Sequence, residues 1–385
     1  MLQMARLFLC AFILISPISL GLAHAATCED GYYLPDGATE CQPNPEPEFI
    51  ITTTDDTETF SFRISAAGSY TINWGDGSIE NITKDNTADT TYSHTYESAD
   101  TYIIGLSGQA TEYSTDEQTA AISFMSSASR IASIEGSLGA IFGTLSDGAQ
   151  IQPRFYNTFY NAFNMNCSIP ENLFDGIFGA PISYMFYSTF LGCNGLIGSI
   201  PKDLFARIFG RPADSMFAYT FYGCSGLIDS IPENLFAGIS GAPASYMFYG
   251  IFEGCSGLTG SIPSGLFGKI EGVPAKAMFH STFSGCSGLT GSIPSGLFGS
   301  LSGSPAESMF YGTFADCSGL AGEIPSGLFG DLTGSPASNM FNTTFYNCSG
   351  LTSIPSGLSP PEARKQENEH RYTHMPSSCC LHIRK

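Results

Sequence analysis

Charge is what this chain has least of. Only 13% of its 385 residues are Asp, Glu, Lys or Arg, roughly half the usual share for a globular protein. Basic side chains are the rarer kind, 15 against 35 acidic ones, for a formal net charge of −20. A surface of that sign repels phosphates, which argues against nucleic-acid binding, and it repels anionic headgroups, which argues against docking on a membrane surface. Histidine is sparse: of six, only His94 and His280 lie between residues 26 and 358. No phosphate-binding glycine loop with its lysine occurs, and no carboxylate pair for glycoside hydrolysis can be placed. The expectation is a chain without catalytic, cofactor or metal residues. After Leu22 no apolar run is long enough to span a bilayer. Solubility falls to Ser, Thr, Asn and Gly.

Residues 1–25 read as a signal peptide. Arg6 supplies a weak positive start, Leu7 to Leu22 is almost wholly apolar, and Ala23-His24-Ala25 offers small residues for cleavage. Pro17 interrupts the run, which speaks against a membrane anchor. Export sets an oxidising context, in which Cys28 and Cys41 of the short module 26–48 form a natural disulfide. The stretch Pro43-Asn44-Pro45-Glu46-Pro47-Glu48 reads as a stiff linker.

Residues 49–125 alternate apolar and polar side chains, as in Phe60-Ser61-Phe62-Arg63-Ile64 and Tyr70-Thr71-Ile72-Asn73-Trp74, the period of half-buried strands. Trp74-Gly75-Asp76-Gly77 closes one strand with a tight turn. His94-Thr95-Tyr96 opens another, expected to continue through Thr101-Tyr102-Ile103-Ile104. These two motifs resemble the PKD-type β-sandwich, and the resemblance implies that Trp74, the sole tryptophan, packs between two sheets. Asp76 has two readings. A carboxylate in a glycine-flanked turn either hydrogen-bonds its own turn or ligates calcium, which wants six to eight oxygens. No Asp-rich loop of fixed spacing accompanies it, so the first reading is favoured.

Residues 126–154 form a connector and N-terminal cap to a repeat array at 155–358. Cys193, Cys224, Cys255, Cys286, Cys317 and Cys348 fall at a strict 31-residue interval, as do the methionines from Met185 to Met340. A first unit carries Phe155, Phe159 and Pro170 in register, with Ala162 in the cysteine position. Arrays of this kind bury their apolar side chains between neighbours. In the unit from Pro305 to Leu332, Phe310, Phe314 and Cys317 stand at i, i+4 and i+7, which predicts a short helix. Leu320-Ala321-Gly322-Glu323-Ile324 alternates as a strand, and Leu328, Phe329 and Leu332 make a further apolar turn of 3-10 form. One strand and one or two helical turns per unit predict a parallel sheet on one face and helices on the other. The six cysteines share the apolar stripe and point the same way, so they are expected to be free buried thiols.

The run from Phe283 to Phe298, with Cys286-Ser287-Gly288-Leu289-Thr290-Gly291-Ser292-Ile293-Pro294 inside it, resembles bacterial leucine-rich repeats of the surface-antigen, BspA-like type. That resemblance implies surface exposure and contact with a protein or host surface. The fold class expected is therefore multidomain: a PKD-like all-β sandwich, then an α/β leucine-rich-repeat-like solenoid with a parallel sheet. The function expected is a secreted or cell-surface, non-catalytic, adhesin-like module. Its alternatives are a structural spacer and an accessory carbohydrate-binding part of an extracellular enzyme system. If the strand leucines and isoleucines point inward, the outward face, from Ile197 and Ser199 to Ala321 and Glu323, is small and mostly uncharged. The candidate interaction surface is Tyr187, Tyr249, His280 and Tyr311, one column on the expected helical side; His280, at a varied position, is expected to face solvent. The partner is an unknown protein or glycan at a cell surface. The tail 359–385, with His370, His374, His382 and Cys379-Cys380, matches no strong zinc spacing and reads as disordered.

Overall fold

The structure is a computed structural model, and the description covers residues 32–33, 42–43, 46–55, 57–146 and 151–353. The signal segment, Cys28, Cys41 and the Cys- and His-containing tail lie outside the described residues. The chain divides into two compact units, residues 1–45 and 46–385. Within the first, strands β1 (Tyr32–Tyr33) and β2 (Gln42–Pro43) pair antiparallel.

The second unit opens with two antiparallel sheets. One has the order β10-β3-β8-β5-β6, built from Ile131–Gly136, Phe49–Thr53, Ile103–Glu112, Ala67–Asn73 and Ile79–Lys84. The other has the order β7-β4-β9, from Thr90–Asp100, Thr57–Ile64 and Ile122–Ser123. The alternation in the sequence sorts inward from outward side chains: Phe60, Phe62 and Ile64 are buried, and so are Tyr70, Ile72 and Trp74. Trp74 packs on Phe62 of the second sheet, ring centroids 5.7 Å apart. The strand expected to run from His94 through Ile104 is two strands. β7 ends at Asp100, whose side chain accepts from the Thr101 N–H at 2.7 Å, and the chain crosses to the other sheet as β8. The edge strand β10 comes from the segment 126–154, and helix α1 (Leu138–Ile141) follows it with Ser137 as its N-cap.

The repeat units contain no helix among the described residues, which corrects the helical face expected of Phe310, Phe314 and Cys317. In the unit around Met278, every second N–H leaves the unit. Phe279, Ser281, Phe283 and Gly285 donate to the carbonyls of Met309, Tyr311, Thr313 and Ala315 in the next unit, at 2.7–3.0 Å. The intervening N–H groups of His280, Thr282, Ser284 and Cys286 close tight turns to the residue three back. Every fourth residue, Ala277, Ser281 and then Gly285, takes a positive φ of 49°, 51° and 74°. A left-handed residue at each fourth position stops an α-helix from propagating, yet it leaves residues four apart on one face. Inward side chains therefore keep the spacing of a helix while the backbone bonds pass between units.

Three phenylalanine columns result. Phe155, Phe186, Phe217, Phe248, Phe279, Phe310 and Phe341 stack at 5.5–5.8 Å with planes within 9°. A second column runs from Phe159 to Phe345 and a third from Phe174 to Phe329. The second begins in the sheets, since Phe124 stacks on Phe159 at 5.5 Å, and the Phe124 N–H donates to Thr158 O. The sheets thus cap the first unit with both ring and backbone contacts. Parallel pairing is confined to short pieces: β11 (Glu271–Gly272), β12 (Ser300–Gly303) and β14 (Asp331–Leu332) on one column, β13 (Ala321–Glu323) and β15 (Gly350–Ser353) on another. Leu328 and Phe329 lie in a turn, as expected, closed by the Leu328 N–H donating to Pro325 O, while Leu332 falls in β14 of the first column. On the β13 column Ile197, Ile228, Thr259, Thr290 and Ala321 face outward, as the alternation implies.

Cys193, Cys224, Cys255, Cys286 and Cys317 are free and buried, and Cys348 is buried at the end of the same column. Each Sγ donates to a phenylalanine carbonyl of the preceding unit, 2.9–3.1 Å away, from Phe159 O for Cys193 to Phe314 O for Cys348. Burial pushes the Cys255 thiol up to about 12, so the nucleophilic thiolate is suppressed at neutral pH. Alkylation of the native chain without reductant is expected to leave these six thiols unlabelled, and labelling after denaturation to reach all six. A disulfide-linked peptide joining neighbouring units, mapped by mass spectrometry, would contradict the arrangement.

Candidate functional site: an aromatic row across the units

The position two residues after each repeat methionine is occupied in turn by Tyr187, Ala218, Tyr249, His280, Tyr311 and Asn342. In-register stacking brings the aromatic members together. Tyr249 stacks on His280 at 4.2 Å and His280 on Tyr311 at 4.5 Å, with planes within 12°. The first unit supplies Tyr156, stacked on Tyr187 at 5.0 Å. Ala218 would interrupt the row, but the next residue, Tyr219, fills the gap. It meets Tyr187 at 5.7 Å with planes at 84° and Tyr249 at 4.9 Å with planes at 59°. Tyr219 does so from a φ of 58°, a backbone region in which a bulky residue is an outlier. Tyr156 was legible as the first unit's copy of the same column. Tyr219 was not, because it stands one place out of register.

All four residues expected at this surface therefore belong to one row, with two corrections. The row lies on a ladder of turns, since the helical side is absent. His280 is half-buried between two tyrosine rings and does not face solvent freely. Its Nδ1 is 3.1 Å from Ser281 Oγ and its Nε2 is 3.5 Å from Tyr249 Oη. Ser281 in turn lies beside Glu253, a carboxylate that also neighbours Tyr219 and Tyr249. Burial depresses the His280 pKa from 6.5 to about 4 and raises the Glu253 carboxyl from 4.5 to about 6.

A group with a depressed base pKa stabilises the fold fully above its ordinary pKa and loses that contribution as pH falls towards the folded value. The window for His280 is pH 6.5 down to about 4. His280→Tyr continues the tyrosine column and removes the effect. The parent is expected to lose about 1 kcal/mol relative to the variant between pH 7 and pH 5, after discounting for partial exposure. Urea titrations of both proteins at the two pH values read it. Equal losses in parent and variant would exclude His280 as the source.

The other candidate, Asp76, is engaged by its own domain. Its Oδ1 accepts from the Ser78 N–H at 2.9 Å and its Oδ2 lies 2.7 Å from His94 Nε2. Burial alone would raise its pKa, but hydrogen bonds from Ser78 and His94 outweigh that and lower it. His94 also stacks on Trp74, and Tyr96 Oη donates to Trp74 O at 2.8 Å. The motif residues thus hold a turn, which is the favoured reading of Asp76. Among the described residues no three His, Cys, Asp or Glu side chains converge as a metal ion requires, and no helix is long and apolar enough to cross a membrane. Comparison with protein-family models, curated proteins and solved structures finds no match to the chain.

Proposed function

We propose that the chain is an exported, non-catalytic repeat protein that binds a protein partner at a cell surface through the aromatic row. In this reading the 31-residue units form a leucine-rich-repeat-like solenoid of the BspA-like kind, and the antiparallel sheets before them are a PKD-like sandwich that caps it. The observation that carries the proposal is the continuity of half-buried rings from Tyr156 to Tyr311 across six consecutive units. Tyrosine presents a large, rigid contact with a polar end, and it is enriched at the energetic centres of protein interfaces. A chain serving only as a spacer needs the inner phenylalanine columns but has no use for an outer one.

The test is an array of extracellular proteins and glycans probed with the chain lacking residues 1–25, beside its Tyr249→Ala/Tyr311→Ala variant. A protein bound by the parent and at least about tenfold more weakly by the variant supports the proposal. Silence on the whole array favours the spacer. Binding confined to glycans favours the accessory role.

A further inference from the structure

The row is not uniform, and its irregular point coincides with a carboxylate, Glu253. Where rings stack in parallel, at Tyr156–Tyr187 and at Tyr249–His280–Tyr311, each face is covered by its neighbour. Around Tyr219 the planes turn by 84° and 59°, and Tyr222 meets Tyr219 at 5.7 Å and 74°. Ring faces open there. Glu253 reaches the same place. A methyl group built on Gly250 would lie 2.9 Å from Tyr219 Cδ1 and 3.1 Å from Glu253 Oε2, so the absent side chain leaves room that ring and carboxylate share. The column holding Glu253 has Tyr160, Leu191, Tyr222, Ser284, Ala315 and Tyr346 in the other units, so no structural rule of the repeat asks for a carboxylate.

Among the described residues Glu253 pairs with no basic side chain; the ion pairs there are Arg63–Asp89, His94–Asp76, Lys202–Asp203 and Lys276–Glu307. A partly desolvated carboxylate without a counter-charge is a standing cost to the fold. A cation set against it relieves that cost and gains the attraction of tyrosine faces. Arginine suits such a place better than lysine, because its planar guanidinium stacks on rings and offers two parallel donors to a carboxylate.

We propose that Tyr219, Tyr222, Tyr249 and Glu253 form a recognition point for an arginine side chain of the partner protein. This rests on the reading of the aromatic row as the binding surface. The sign of the whole chain, −20, suits a basic partner. Binding through Glu253 should fade as pH falls through about 6. The groups facing that carboxylate are Tyr219, Tyr249 and the buried Cys286, all neutral at that pH, and His280 through Ser281, neutral down to about 4.

The probe is a fluorescent arginine nonapeptide, with its citrulline counterpart as the neutral isostere, titrated against the full chain. Glu253→Gln is expected to weaken arginine-peptide binding about tenfold at pH 7 while melting no lower than the parent, because it removes a partly desolvated charge. The exposed Glu233→Gln, an equal loss of charge, should change binding less than about twofold. Citrulline peptide should not compete. Equal effects of the two Glu variants, or citrulline binding as well as arginine, would overturn the proposal. The array partner separates the two readings: dependence on Tyr249 and Tyr311 but not on Glu253 leaves the row as the binding surface and removes the arginine point, whereas dependence on none of them removes both.

Discussion

Replacing Phe248 by alanine is expected to lower the stability of the chain by about 3–5 kcal/mol. The ring is fully buried. It stacks between Phe217 and Phe279, each at 5.8 Å, and meets Phe236 and Phe267 of the third column at 4.9 and 4.5 Å. The backbone on either side is tied to both neighbouring units by hydrogen bonds, so the cavity has little room to collapse. Phe345, the last rung of its column, stacks on Phe314 at 5.6 Å and is only partly buried. The same substitution there is expected to cost about half as much. Chemical denaturation of the two variants, followed by far-ultraviolet circular dichroism, makes the comparison. A smaller loss at Phe248 than at Phe345 would mean that the phenylalanine columns are not the core of the array.

Gly257→Ala is expected to cost about 3 kcal/mol or more, although it adds one methyl group. The new Cβ would stand 2.4 Å from Ser225 O and 2.5 Å from Leu227 O, both backbone atoms of the preceding unit. The same collision faces Gly226, Gly288, Gly319 and Gly350 in their own units. Backbone held by bonds between units cannot step aside as a flexible side chain can. Gly265→Ala is the control: nothing lies within 4 Å of its added Cβ, and the change should be neutral or stabilising by up to about 1 kcal/mol. Melting temperatures of the two variants decide the matter. Equal melting temperatures would rule out the close approach of units at this column.

These two results bear on the proposed function as well. The inner columns and the glycine contacts fix the register between units, and register is what lines up Tyr187, Tyr249, His280 and Tyr311. A variant that slips one unit breaks the outer row without touching it. Binding measurements on row variants therefore need the melting curve beside them.

By itself the sequence determined the period, the inward residues and the antiparallel sheets that precede the repeats. The interval of 31 residues between cysteines set which side chains meet, and period-two alternation set the faces of Phe60–Ile64 and Tyr70–Trp74, because both depend only on the order of residues. Only the tertiary structure decided what the backbone does between Phe310 and Cys317. A helix and a run of turns with every fourth residue left-handed place the same side chains inward. They differ in where the N–H groups go, and half of those go to carbonyls a full unit away, which no local pattern registers. The same holds for Tyr219. Its place in the row follows from a gap left by Ala218 and from the bare Gly250 beside it, both in contact through space, while its own position in the repeat is one that asparagine, serine, glycine or threonine fills elsewhere.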